Sequence, residues 1–371
     1  MRIIIGGDFT TTSRGEEAVL NKSAFSEDVV NLMRSADISM LNMEAPIADV
    51  SDKKIKKIGP HLRTIKETVA FFKECGVDVV TLANNHFYDY GDVGVTKTID
   101  ALITNDIDFV GGGRDKNEYR KILYKEVHGK TIAVLNYCES EFSVNDSIGS
   151  NPLNPINTFY DINVAKQKAD YILVITHGGV EGYNLPTPRM QKLYRYFIDI
   201  GANIVVNGHQ HCYSGYEKYN DGLIFYGLGN LFFDLGKSWH DGWNEGFILE
   251  LELQDNNCSF VLYPYLQCLS SFTSVKLVDG SMKDDFYKKV EDLNNMILNP
   301  NKLEKLFHEY CFKKRRNQLS WFAPYTNRYL LALYRRRLLP SFLSKNKMLQ
   351  IQNMLRCESH REVCLNCLKQ N

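Results

Sequence analysis

Short apolar runs of strand length, each released into a cluster of Gly, Asn, Asp, Glu or His, constrain the fold of this chain more than any other feature. They fall at residues 3–5, 38–41, 77–82, 172–176, 204–206 and 223–226. Between most of them lie segments with helical spacing, as at 65–75, 95–103 and 189–200. Strands alternating with helices predict an α/β fold. In such folds the chemistry gathers outside the carboxyl ends of the strands, so five strand ends are expected to converge on one site. From about 247 to 266 the pattern becomes apolar alternation, which predicts antiparallel closing strands. Residues 284–371 read as helical, broken at Pro324 and Pro340, giving a site-bearing domain over 1–283 and a helical extension over 284–371.

With 371 residues, 44% hydrophobic and 24% charged, the chain can build a large core. Its net charge of zero hides an asymmetry: residues 313–371 hold 13 Lys and Arg against Glu358 and Glu362, leaving the remainder acidic. A uniformly basic nucleic-acid binder is excluded, and no nucleic-acid partner is expected. No stretch reaches the ~20 apolar residues of a membrane span. The opening Arg2-Ile3-Ile4-Ile5 reads as a buried strand rather than a signal peptide. Nine scattered cysteines, an odd number, argue against a secreted disulfide framework. These features predict a cytoplasmic protein.

The strand ends carry Gly7-Asp8, Asn42-Met43-Glu44, Asn84-Asn85-His86, His177-Gly178-Gly179 and Gly208-His209-Gln210-His211. Carboxylates, amide oxygens and imidazoles together form a mixed O/N ligand set that suits Zn, Mn or Fe, one ion or two. His209 and His211 flank one residue, and strand alternation would point both the same way. A metal pair so held clamps a phosphate and generates a nucleophile at neutral pH. Taken singly, Asp8 reads equally well as a turn cap, and each histidine as a hydrogen-bonded structural residue.

The ordered motifs at 83–91 (Ala-Asn-Asn-His-x-x-Asp-Tyr-Gly), 177–183 (His-Gly-Gly-x-Glu-Gly-Tyr), 208–211 (Gly-His-x-His) and 226–234 (Tyr-Gly-Leu-Gly-Asn-Leu-Phe-Phe-Asp) resemble the poly-gamma-glutamate capsule-synthesis (CapA) family, a branch of the calcineurin-like metallophosphoesterases. The resemblance covers roughly residues 2 to 265. It implies a four-layer α/β/β/α sandwich. It also implies Glu44 bridging two metals, with Asn85, His177 and His209 on one, Asp8 and His211 on the other, and His86 as general acid. Two positions depart from the wider superfamily: Asp8-Phe9-Thr10 lacks the usual Asp-x-His histidine, and the bridging carboxylate is glutamate. Expected substrate contacts are Asn42, Glu181, Tyr183 and Asn230, although Glu181 and Tyr183 also fit a solvated loop, and Asn230 and Asp234 also fit turns.

The function so implied is a metal-dependent, hydrolase-like protein of poly-gamma-glutamate-type surface-polymer biosynthesis acting on an anionic small molecule or polymer. The alternatives are a non-catalytic accessory subunit of a polymer synthase, or a phosphodiesterase. Asp89-Tyr90-Gly91 reads as the turn that starts a helix, or as support for the Asn85-His86 loop. Gly111-Gly112-Gly113-Arg114 is only a loose phosphate-cradle pattern. Cys357, His360, Cys364 and Cys367 fall on one face of a helical stretch, which favours packing over zinc. Clusters at Lys313-Lys314-Arg315-Arg316 and Arg335-Arg336-Arg337, interleaved with aromatics and leucines, fit either a helical cap on the acidic body or peripheral contact with an anionic membrane.

Overall fold

The opening run Arg2–Thr10 forms the central strand of an eight-stranded sheet, because Ile3, Ile4 and Ile5 are buried on both sides of it. The computed structural model describes residues 1–356 apart from 13, 58, 146, 237–240, 255–256 and 326. On one side of the opening strand run three parallel neighbours in spatial order, Ile38–Met43, Val79–Thr81 and Asp108–Val110. On the other lie the antiparallel closing strands Glu245–Gln254, Asn257–Gln267 and Val275–Leu277, and the short strand Asn230–Phe233 pairs parallel with its end. A second sheet, of six strands, has the order Tyr216–Tyr219, Gly222–Phe225, Ile204–Gly208, Tyr171–His177, Lys130–Cys138 and Leu123–Val127.

Alternation along the strands sets the layers. Ile4, Phe9, Leu41, Met43 and Val80 face a core shared with Val29, Phe72, Val95 and Ile99 of the helices Glu27–Arg34, Glu67–Cys75 and Gly91–Thr104. Ile5 and Met40, on the opposite face, line a narrow cavity with Ile175 and Val206 of the second sheet. That sheet is covered in turn by helix Pro188–Asp199, which buries Tyr194 and Phe197. The result is the expected four-layer α/β/β/α sandwich, with the polar strand ends meeting along the seam between the sheets. Helix starts follow local chemistry: the Thr187 side chain accepts from the Met190 N–H with Pro188 at the first position, and Asn154 caps Pro155–Ala165 in the same way.

Strands Leu123–Val127 and Lys130–Cys138 were not singled out by the sequence pattern. They form a hairpin whose turn residues, His128 and Gly129, take φ of +53° and +73°. The second of these strands runs beside Tyr171–His177 and brings Cys138 level with His177.

The chain forms two compact units, Met1–Leu303 and Glu304–Asn371. Helix Gly280–Ile297, most of which lies beyond the expected 283/284 boundary, buries Phe286 in the first unit, 5.0 Å from Tyr213 and 5.7 Å from Phe247 between ring centres. The second unit is helical where described: the end of Pro300–Leu319, the 3₁₀ turn Ser320–Phe322, Arg328–Arg335 and Lys345–Arg356. Cys357, His360, Cys364 and Cys367 lie outside the described residues. Among the described residues no helix is long and apolar enough to cross a membrane.

Gly7 is the tightest backbone approach at the sheet seam, since a Cβ there would sit 2.0 Å from the Gly229 carbonyl oxygen. Gly7→Ala is therefore expected to cost about 3 kcal/mol or more, read as a lower denaturant midpoint at unchanged slope.

Candidate functional site

Asp8 is aimed into the seam by a break in strand register. Pairing with Ile38–Met43 shifts between Ile5 and Asp8, and pairing with Asn230–Phe233 shifts between Asp8 and Phe9. Such irregularities re-aim a side chain while the strand continues. Beyond it Phe9 returns to the helix-side core, 4.7 Å from Phe72 and 5.0 Å from Phe232. Asp8 Oδ1 accepts from the Asn42 amide at 2.8 Å, and Oδ2 accepts from the His209 N–H at 3.2 Å.

His209 and His211 both reach the site, but not by strand alternation. They follow the strand Ile204–Gly208 with left-handed backbones, φ +81° and +55°. For non-glycine residues this is stored strain, which persists where surrounding contacts over-determine it. Asn230 is one such contact. Its amide nitrogen donates to the carbonyls of His211 and Trp243, so its Oδ1 accepts from His211 Nδ1 at 2.8 Å. Nδ1 is thereby the donor to Asn230, and Nε2 faces Glu44 Oε1, 3.5 Å away.

Glu44, the expected bridging residue, has no exposed surface, and neither carboxylate oxygen has a hydrogen-bond partner. Burial, reinforced by the charges of Asp8, Glu181 and Asp89, pushes its carboxyl well above the usual range. Single ligand atoms of Asp8, Glu44 and His211 lie within 4.8 Å of one another. His177 Nε2 stands 3.0 Å from Asn85 Oδ1, 3.2 Å from His209 Nδ1 and 3.9 Å from Glu44. Burial and the neighbouring imidazoles hold His177 well below the ordinary histidine value, and burial brings His209 down to about 3. Both rings are therefore neutral and present lone pairs.

His86 is buried at the edge of this cluster. Its Nδ1 is 2.8 Å from Asp89 Oδ2 and 3.2 Å from Lys57 Nζ, which leaves Nε2 as the nitrogen available to a ligand. Asp89 also pairs with the Lys57 ammonium and accepts from the Leu62 N–H. It thus supports the His86 loop besides preceding helix Gly91–Thr104. Lys57 had no sequence signal, because Lys53-Lys54-Ile55-Lys56-Lys57 reads as a solvated charge run, yet its side chain is only 3% exposed. Glu141 was missed too. Its carboxylate lies 3.8 Å from His209 Nε2 and is raised by burial and by the charge of Glu181.

The expected substrate contacts divide. Asn42 is part of the cluster, donating to Asp8 and accepting from Asn84 at 3.2 Å. Glu181 is exposed and near enough to act on the charges of Glu44 and Glu141. Tyr183 is buried, with its carbonyl accepting from Gln210, and Asn230 is buried behind His211 within a strand rather than in a turn. Asp234 is buried and paired with Arg14. Arg114 pairs with Asp100 and Glu118, while Gly112 and Gly113 pack against Leu82, Phe87 and the backbone at Tyr119, so this run forms no cradle.

A model of the family described as bacterial capsule synthesis protein PGA_cap matches residues 2–235. The chain belongs to that family. Over 242 residues it is 33% identical to the capsule biosynthesis protein CapA of Bacillus anthracis, covering 62% of this chain and 57% of that one. Over 237 residues it is 33% identical to the PGA biosynthesis protein CapA of Bacillus subtilis (strain 168), covering 62% of each. The matches thus span less than two thirds of either relative. A solved structure of a hypothetical protein from Thermus thermophilus is similar at a TM-score of 0.46 and 15% identity, over 72% of this chain and 99% of that one. The PGA_cap match contains every side chain of the cluster, from Asp8 to Asn230, and stops before the closing strands and the second unit.

Glu44 gives the metal-free protein a measurable signature. A carboxyl raised on folding binds protons more tightly in the folded state, so it destabilises the fold increasingly as pH climbs above about 4.5. In chelator, Glu44→Gln is expected to melt above wild type, by at least about 1 kcal/mol at pH 8, with a smaller gap at pH 5. Thermal melts at the two pH values check both the sign and the trend.

Proposed function

We propose that this PGA_cap protein is a metal-dependent, hydrolase-like component of poly-gamma-glutamate-type surface-polymer biosynthesis that acts on an anionic substrate. The observation that carries the reading is the Glu44 carboxyl group, buried without a hydrogen bond and faced by His211 Nε2 at 3.5 Å. An isolated buried carboxylate is costly, and such groups are paired or coordinate metals. The donors are oxygen and imidazole nitrogen, a set that suits Mn, Zn or Fe. Glu44, Asp8 and His211 would hold such an ion, with Asn85, His177 and His209 beside them. When bound, it lowers the pKa of a water and polarises an acyl or phosphoryl oxygen.

The chain's own residues do the rest. Asn42 and Asn230 fix Asp8 and His211, and the Asp89 and Lys57 contacts fix the His86 ring, whose Nε2 would pass a proton to the leaving group. Asp8, Glu44, Asp89, Glu141 and Glu181 outnumber the Lys57 ammonium around the site, and a bound cation would offset carboxyl groups that otherwise disfavour an anion. We place the protein in the reducing cytoplasm, a reading supported by the unpaired thiols of Cys75, Cys138, Cys212, Cys258, Cys268 and Cys311.

A second reading, an accessory subunit of a polymer synthase, is favoured by the start of the cluster. Both Asp8 oxygens are already engaged, and Thr10 stands where the superfamily has histidine, its Oγ1 buried without a partner. Metal content by mass spectrometry, on protein purified without chelator, tests the metal. One or two equivalents are expected, with affinity at least tenfold lower in Glu44→Gln and His211→Ala. Wild type that stays metal-free after soaking overturns the reading. Assays on carboxylate-rich polymers and phosphoesters separate enzyme from subunit: His86→Ala should keep the metal and lose about a hundredfold in turnover. A metal-loaded wild type with no turnover on either class supports the accessory role.

A further inference from the structure

Among its described residues, the second unit is short of core and rich in exposed apolar and basic side chains. Between residues 304 and 356 it carries 12 Lys and Arg against Glu304 and Glu309. Its described buried side chains are few: Tyr334, ringed by Tyr325 at 5.7 Å, together with Leu343 and Ser320. Meanwhile Phe312 is 76% exposed, Leu338 67% and Phe342 65%, and Tyr329, Leu330 and Leu349 are exposed as well. Two of them adjoin basic runs in the sequence: Phe312 precedes Lys313, Lys314 and Arg315, and Leu338 follows Arg335, Arg336 and Arg337.

We propose that this unit docks on an anionic lipid bilayer, with Phe312, Leu338 and Phe342 entering the headgroup boundary and the flanking Lys and Arg side chains on the phosphates. Charge complementarity selects an anionic surface, and the apolar side chains select a bilayer among anionic surfaces. Phosphate backbones of nucleic acid offer no apolar layer to cover leucine and phenylalanine, whereas the acyl boundary does. In helix Arg328–Arg335 Tyr334 is buried, while Arg328, Tyr329 and Leu330 are exposed to solvent. None of these residues belongs to the metal cluster, so the proposal stands apart from the reading of that site.

The test is co-sedimentation of the full chain with vesicles of phosphatidylcholine containing about one third phosphatidylglycerol, beside pure phosphatidylcholine, at about 50 mM and about 500 mM salt. Binding to the anionic vesicles at low salt, at least tenfold tighter than to neutral ones and weakened by salt, is the expected result. Arg336→Gln/Arg337→Gln should weaken it about thirtyfold. Phe312→Ser/Leu338→Ser should weaken it at least tenfold, with the melting temperature of both variants unchanged because all four positions are exposed. No pelleting at low salt overturns the proposal. So does an apolar variant that binds like wild type, or tighter binding to a DNA duplex than to the vesicles.

Discussion

The structure turns on a carboxylate that ordinary folding would not tolerate. Glu44 lies at the seam of two sheets, without solvent and without a hydrogen bond, and an uncompensated buried charge costs several kcal/mol. A fold with two sheets, each backed by its own helical layer, has the apolar burial to offset such a cost. The same seam concentrates further departures from comfortable geometry: the register breaks around Asp8, the left-handed backbones of His209 and His211, and the close approach of Gly7 to Gly229. Their clustering at one place is the mark of a site rather than of imperfect packing.

Asparagine is the element that makes the cluster rigid. Asn42, Asn84 and Asn230 each join donors to acceptors on both sides, so the buried side chains around them are held in single orientations. Because Asn230 spends its nitrogen on two carbonyls, it fixes the tautomer of His211 without any charge of its own. A carboxylate in its place would add to the repulsion already acting on Glu44. Neutral amides orient the ring while leaving the negative charge where a cation is wanted.

The layers and most of the cluster were legible in the sequence because buried parallel strands read as continuous apolar runs, and polar residues released within a few positions of each run end are delivered to the site. Asp8, Glu44, Asn85, His177 and His209 lie within three positions of their runs, and His211 follows a little further on. What escaped it has physical reasons. Lys57 and Glu141 sit on irregular segments, where neither period nor propensity marks a side chain that folds inward. The hairpin of Leu123–Val127 and Lys130–Cys138 turns on His128-Gly129, whose positive φ is a turn signal that a search for apolar runs passes over. The two histidines were found for the wrong reason, since their common direction comes from backbone strain rather than from pleating.

The division of the chain into two units also divides its charge and its stability. The first carries the acidic excess and, among the described residues, nearly all of the buried apolar surface, and the second carries the basic excess with a described core of a few side chains. A segment of that size with so little burial gains little from its own folding, because its backbone entropy is opposed by few contacts. Helix formation there must draw on capping and on whatever surface covers Phe312, Leu338 and Phe342. Asn327 supplies a cap, accepting from the Tyr329 N–H at 2.8 Å, and so starts the helix that buries Tyr334 and exposes Arg328, Tyr329 and Leu330. A bilayer that accepted those exposed side chains would stabilise the helix by the same contacts through which the helix held the protein to the lipid.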